Sequence, residues 1–184
     1  MTPTEYLLQE SQAEYKHEYR NGEIQAMAGA SRKHNVIVAN LIYLLQQCLR
    51  SKACEVYPSD LRVLIPACQR YVYPDVVVVC GEQLWERYKG TENLLNPTVI
   101  IEVTSESTSE YDHTEKLACY QTIESLKTYL LVSSTQIFVE KLEKNEQNEW
   151  IYTTAFPDNE RIMVGECELL LAEIYHKVIF EESN

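Results

Sequence analysis

One long stretch of the chain carries apolar residues at three- and four-residue steps. The steps begin at Val38 and continue to Leu49, and Ser31 lies before them at a position that suits an N-cap. This spacing predicts an amphipathic helix that ends near Arg50. Upstream, we expect a first helix over residues 3–15 and a hairpin around the turn at Asn21-Gly22.

Short runs of β-branched and aromatic residues follow, and most of them are bounded by proline, glycine or polar turns. Such runs predict strands, and the richest of them predict strands buried on both faces. The predicted strands cover residues 55–65, 72–80, 97–104, 128–132, 136–142, 150–154 and 161–164. Helices are predicted over 110–125 and 169–178, and a short helix or loop over 84–89.

The central part of this order is helix, three strands, helix, strand. It predicts an α/β protein with a mixed sheet, extended by additional C-terminal strands and a helix. A length of 184 residues suits one well-buried domain, and we expect that single domain to span residues 1–184.

The net charge of -12 is unevenly distributed along the chain. Residues 1–90 contain ten basic and ten acidic residues, whereas residues 91–184 contain six basic and eighteen acidic ones. A phosphate backbone would be repelled by the second half and could be met only by the first. The candidate cations there are Arg20, Arg32, Lys33, Arg50, Lys52, Arg62 and Arg70. The alternative is that they are scattered solubilising charges, so composition alone argues against nucleic-acid binding.

The six cysteines show no CxxC pair and no zinc-ligand spacing with the four histidines. No signal-peptide core and no apolar run of membrane-spanning length is found in the sequence. We therefore expect a cytoplasmic protein without membrane contact, whose thiols are reduced and packed as small hydrophobes.

Two carboxylates lie inside the apolar strand runs. Asp75 follows Pro74 at the start of a valine run, and Glu102 comes twenty-seven positions later within another apolar run. Burying a carboxylate costs several kcal/mol unless a cation or strong donors meet it. Two of them on strands that could be neighbours suggest one shared divalent metal. Carboxylates, water and phosphate oxygens suit Mg²⁺ or Mn²⁺.

A lysine near such a metal would position the attacking water and offset charge in the transition state. The familiar position for it, two residues beyond the second carboxylate, holds Thr104. On the next predicted helix, Asp112, Lys116 and Tyr120 are four residues apart and share one face. Lys116 could reach back to the carboxylates from there, or it could form a surface pair with Asp112.

The chain resembles the putative restriction endonuclease family of the PD-(D/E)xK nuclease superfamily. The resemblance covers most of the chain to about Val132 and is carried by an ordered series of segments. These segments are residues 17–24, His34 with the helix that it opens, and residues 73–76, 101–108 and 112–120.

The resemblance implies a restriction-endonuclease-like core, cleavage of DNA by a metal-activated water with Mg²⁺ or Mn²⁺, and a homodimer. It implies that Asp75 and Glu102 are metal ligands, with the Val103 carbonyl as a third. Lys116 would be the catalytic lysine, moved from strand to helix. Glu18 would complete the catalytic site from outside the strands, with Glu23 as its rival.

Two departures from the family pattern stand out: Ser-Glu-Ser-Thr replaces Ser-Pro-Ser-Thr at 105–108, and the Gly-Val before the last core strand is missing around residues 123–126.

The candidate site and the resemblance together lead us to expect a metal-dependent DNA endonuclease. The alternatives are a non-catalytic module of the same fold that binds a protein or nucleic-acid partner, and a nuclease acting on RNA or branched DNA.

Overall fold

The computed structural model describes residues 1–27, 29–105, 112–157 and 160–180. A capping box starts the first helix, because the Thr2 hydroxyl accepts from the Glu5 backbone amide while the Glu5 carboxylate accepts from the Thr2 amide. The helical elements are α1 (Pro3–Glu10), α2 (Arg32–Leu49), a 3₁₀ turn (Pro66–Cys68), a π-helical turn (Asp112–Lys116) continued by α3 (Leu117–Tyr120), and α4 (Leu171–Ile174).

Two six-stranded sheets make up most of the molecule. Sheet 1 has the order β2-β1-β5-β4-β8-β7 and sheet 2 has the order β12-β11-β10-β9-β6-β3. The strands of sheet 1 are β1 (His17–Arg20), β2 (Glu23–Ala26), β4 (Arg62–Ile65), β5 (Arg70–Val72), β7 (Trp85–Tyr88) and β8 (Thr91–Leu94). Those of sheet 2 are β3 (Cys54–Pro58), β6 (Val76–Cys80), β9 (Val99–Thr104), β10 (Thr128–Ser133), β11 (Val139–Lys144) and β12 (Trp150–Ala155). A separate hairpin joins β13 (Arg161–Val164) to β14 (Cys167–Leu170).

Sheet 2 is mixed, and its central strands β6, β9 and β10 are buried on both faces. β9 runs parallel to β10 and antiparallel to β6. One face packs against Ile37, Leu41 and Leu45 of α2, and the other packs against residues of sheet 1 and of α3. Alternate residues of a strand point to opposite faces, so an all-apolar strand such as β6 contributes to both cores.

The structure confirms the α/β class, the mixed sheet, the hairpin around Asn21-Gly22 and the Ser31 N-cap. Two predicted strands are wrong in extent: residues 55–65 are divided between β3 of sheet 2 and β4 of sheet 1, and within residues 72–80 only Val72 belongs to β5, while Val76–Cys80 forms β6. Residues 84–89 contain strand β7 instead of a helix or loop. The last two predicted helices are shorter, and residues 167–170 form a strand. The predicted helix start at residue 110 lies outside the described residues.

The prediction of six reduced thiols is wrong, since the cysteines form three disulfides. Their pairs are Cys48–Cys167, Cys54–Cys80 and Cys68–Cys119, with sequence separations of 119, 26 and 51 residues. Each pair joins elements that meet only in the folded chain, so sequence spacing carried no sign of them. Free thiols therefore no longer support a cytoplasmic location. Of the helices in the described ranges, none has the length and apolar character needed to cross a membrane.

Candidate active site

Asp75 lies directly before β6, and Glu102 lies within the neighbouring strand β9. β6 and β9 pair with Val76 opposite Ile101, so the residues that come next on each side, Asp75 and Glu102, lie at the same end of this strand pair. Pro74, which has no amide hydrogen, precedes Asp75 and lies in the break between β5 and β6. The two carboxylates of the sequence are thus brought together by strand pairing.

Asp75 is held by hydrogen bonds to both of its carboxylate oxygens. The Val103 backbone amide donates to Oδ2 over 2.7 Å, and His34 Nε2 lies 2.9 Å from Oδ1. Burial acts to lower the pKa of His34, but the hydrogen bond and charge of Asp75, with a backbone hydrogen bond to Val103, raise that pKa above its ordinary value overall. The first turn of α2 and the end of β9 therefore fix the orientation of Asp75.

Lys116 reaches back from its helical turn into the strand site. Its Nζ lies 2.8 Å from Glu102 Oε1 and 3.3 Å from Glu18 Oε1. The side chains of Lys116 and Glu102 are each only 7% exposed, and that of Glu18 is 14% exposed. A buried ammonium between two carboxylates compensates charges that would each be costly alone.

Tyr120 is the second group on this helix that contacts Glu102. Its hydroxyl donates to Glu102 Oε1 over 2.7 Å, and the residue is fully buried. Burial raises the pKa of Tyr120 well above its ordinary value, and the charge of Glu102 raises that pKa further. The hydroxyl therefore remains protonated and serves as a hydrogen-bond donor that holds one oxygen of Glu102 in place.

The π-helical turn that carries Lys116 is also attached to sheet 1. Arg20 of β1 and Arg70 of β5 both donate to Glu115 Oε2, over 2.8 Å and 3.0 Å. The Cys68–Cys119 disulfide attaches the following helix to the 3₁₀ turn after β4. Because these attachments lie on both sides of Lys116 along the chain, they restrict the movement of its backbone.

The structure separates the two candidate acids of the amino-terminal segment. Glu18 contacts Lys116, and its Oε1 also accepts from the Tyr73 amide over 3.4 Å. The side chain of Glu23 is 81% exposed and lies 3.9 Å from Arg20. Glu18 is therefore part of the cluster and Glu23 lies outside it. Lys116 is buried, so it is not the surface lysine of the alternative interpretation. The side chain of Asp112, the other member of that surface pair, lies outside the described part.

The residues present fit a hard divalent cation in donor type. Asp75, Glu102 and the Val103 carbonyl supply oxygen ligands, and Mg²⁺ is commonly held by one or two carboxylates together with water and substrate phosphate. Within the described ranges, no group of three or more His, Cys, Asp or Glu side chains is arranged to hold a metal ion. A metal here would therefore have at most two carboxylates of this kind, Asp75 and Glu102.

Sequence reasoning missed the contact between His34 and Asp75. Its place near a helix start favours a structural cap over a contact with a phosphate, yet His34 Nε2 contacts the carboxylate of Asp75, which directly precedes β6. The two residues are separated by 41 positions, and only the packing of α2 on sheet 2 brings them together. A histidine three residues after an N-cap serine, on a helix expected to cover the strands, is the one local signal that could have indicated this contact.

The fold that holds this acidic pair and the lysine on the next helix is restriction-endonuclease-like. A solved structure described as a putative nuclease belonging to DUF820, from Anabaena variabilis, superimposes with a TM-score of 0.76 at 16% identity. The superposition covers 97% of this chain and 99% of that one, and it shows the fold.

Residues 3–171 match the family described as "Putative restriction endonuclease" (Uma2), so the chain belongs to that family. It is also similar to two proteins of Synechocystis sp. that are described as uncharacterized, slr1290 and sll1609. The first is 38% identical over 151 residues, covering 82% of this chain and 78% of that protein. The second is 36% identical over 166 residues, covering 88% and 91%. Family and fold together support a nuclease-type function.

Proposed function

We propose that the protein is a metal-dependent endonuclease that hydrolyses phosphodiester bonds in DNA. The contact that carries the proposal is the 2.8 Å separation between Lys116 Nζ and Glu102 Oε1. Glu102 lies on β9, and Asp75 directly precedes the neighbouring strand β6. The contact supplies a buried cation beside an acidic pair, although Thr104 occupies the position where this class of site commonly has its lysine.

In the proposed reaction, Asp75, Glu102 and the Val103 carbonyl would hold Mg²⁺ or Mn²⁺. When bound, such an ion polarises the phosphodiester and lowers the pKa of an attacking water. Lys116 donates a hydrogen bond that orients this water, and its charge offsets the negative charge that develops on the phosphate. His34 and Tyr120 act as positioning residues, because each fixes one oxygen of an acidic side chain.

The direct test is nicking of supercoiled plasmid in the presence of Mg²⁺. We expect wild-type protein to nick, and Asp75→Asn and Lys116→Ala to lose at least about 100-fold in rate, the usual cost of removing an electrostatic group from a preorganised site. Lys52→Ala is the matched control, because Lys52 is an exposed lysine paired with Glu166. Equal nicking by all four proteins would indicate a contaminating nuclease and would overturn the proposal.

A second candidate is a non-catalytic module of the same fold that binds a protein or nucleic-acid partner. It is favoured by the absence of a three-residue metal-ligand group among the described side chains. Calorimetric titration with Mn²⁺ separates the two functions. A binding site that disappears in Glu102→Gln supports the nuclease, and the same heat in wild type and variant, with no saturable site, supports the module.

The remaining expectations concern partners and location. DNA is inferred as the substrate from the family to which the chain belongs, and RNA stays the alternative for the same residues. The homodimer and the cytoplasmic location remain predictions from sequence.

A further inference from the structure

The structure contains a cleft of about 660 Å³. It is bounded by the start of α2, by the ends of β9 and β10, and by the segment after α4. Three basic residues line it, Arg32, Lys33 and Lys177, together with hydroxyl groups that include Ser105 and Thr135. No acidic residue is found among its described lining residues. A volume of this size lies in the range of clefts that bind ligands.

The basic residues of the cleft differ in their partners from four cations elsewhere in the chain. Arg20 and Arg70 are bound to Glu115, Lys52 is bound to Glu166, and Arg62 is buried. In the described part of the chain, Arg32, Lys33 and Lys177 form no salt bridge, although Lys33 lies 5.7 Å from the centre of the Phe180 ring. The cleft therefore concentrates positive charge that no described carboxylate neutralises, in a protein of net charge -12.

The cleft and the candidate active site share two elements. Lys33 is the chain neighbour of His34, whose Nε2 lies 2.9 Å from Asp75. Ser105 follows β9 three residues after Glu102, and Ser134 donates to the Thr104 carbonyl over 2.8 Å, which fixes the cleft wall to the end of β9. The cleft is therefore built on the same helix and the same strand that carry His34 and Glu102.

We propose that this cleft binds the phosphate backbone of the DNA strand next to the scissile bond, through Arg32, Lys33 and Lys177. The identity of the ligand rests on the proposed nuclease function, whereas its anionic chemistry follows from the cleft itself. A concentrated group of cations is what an acidic protein needs to bind a polyanion, because its overall field repels one.

The test is the salt dependence of binding to a short fluorescein-labelled DNA duplex, measured by anisotropy without divalent metal. The cleft variant is Arg32→Gln/Lys33→Gln/Lys177→Asn, with asparagine at 177 because the backbone there is left-handed, with φ 61°. The matched control removes three exposed cations that are paired elsewhere on the surface, as Lys52→Gln/Arg87→Gln/Arg161→Gln. Both variants change the net charge equally.

We expect the cleft variant to bind at least roughly tenfold more weakly, with a salt slope smaller by about one unit for each phosphate that is no longer neutralised, and the control to retain the wild-type slope. Equal slopes in the two variants, or no binding by the wild type, would overturn the proposal. Plasmid nicking measured in parallel separates the two ideas. Nicking with an unaffected slope overturns only the cleft, and cleft-dependent binding without nicking overturns only the nuclease.

Discussion

The charge balance around Lys116 links the stability of the site to its chemistry. One buried ammonium faces Glu102 and Glu18, and Tyr120 also donates to Glu102. Removing one member of such a buried group leaves an uncompensated charge, which typically costs about 3–5 kcal/mol. Substitutions here must therefore be conservative in shape, and each variant must be compared at a temperature at which it is folded.

Glu18 and Glu23 offer a matched pair of acids on the same hairpin. We expect Glu18→Gln to lower the plasmid-nicking rate by roughly tenfold or more, because it removes the negative charge that holds Lys116 on the side away from Glu102. Glu23→Gln should nick at the wild-type rate, since that side chain is 81% exposed. A larger loss of nicking in Glu23→Gln than in Glu18→Gln would contradict the assignment of Glu18 as the acid that acts on Lys116.

Tyr120 and Tyr152 each donate to a glutamate, but only one of them is buried. Tyr120 is 0% exposed and donates to Glu102, whereas Tyr152 is 55% exposed and donates to Glu140 over 2.6 Å. We expect Tyr120→Phe to lower the free energy of unfolding by about 1.5–3 kcal/mol, the range for hydrogen bonds to charged groups. Tyr152→Phe should stay within about 0.5 kcal/mol of wild type. Urea denaturation measures both, and equal losses would mean that Tyr120 does not hold Glu102.

At the scale of the elements, prediction succeeded where the pattern was local. The period of α2, the glycine turn between β1 and β2, and the antiparallel meander from β10 to β12 are all encoded within a few neighbouring residues. It failed where two strands of different sheets follow each other closely, as where residues 59–61 separate β3 from β4 and residues 73–75 separate β5 from β6. Apolar content indicates burial, but it does not indicate which sheet provides the hydrogen-bonding partner.

The residues of the candidate site are divided in the same way, into those with a local signal in the sequence and those that depend on packing between distant elements. Asp75 and Glu102 stand out in sequence because each interrupts an apolar strand, and Lys116 stands out because it lies four residues before Tyr120 on a helix that returns to the strand ends. The His34 contact with Asp75 and the Arg20 and Arg70 contacts with Glu115 depend on packing between elements far apart in the chain. Such contacts leave no periodic signal.

At the scale of the whole molecule, two of the three disulfides, Cys48–Cys167 and Cys68–Cys119, join parts of the chain that the sheets alone do not connect, whereas Cys54–Cys80 joins the paired strands β3 and β6. Cys48 lies at the far end of α2, fourteen residues from His34, which is about 21 Å along a helix axis, and its partner Cys167 is on β14. Cys119 lies next to Tyr120 and three residues after Lys116. One disulfide therefore stabilises the fold away from the site, and the other holds the helix that completes the site.

Removing each of these two disulfides in turn should distinguish an effect on stability from an effect on nicking activity. Cys48→Ala/Cys167→Ala opens the longer loop, 119 residues against 51, so it should lower the free energy of unfolding at least as much as Cys68→Ala/Cys119→Ala, each by about 2–5 kcal/mol. At a temperature at which both variants are folded, we expect nicking to fall only in the second, because the helix after Lys116 loses its covalent attachment and only the contacts of Glu115 with Arg20 and Arg70 remain. Denaturation curves and plasmid assays on the same preparations measure the two effects. Equal nicking by both folded variants would show that the Cys68–Cys119 bond does not position Lys116.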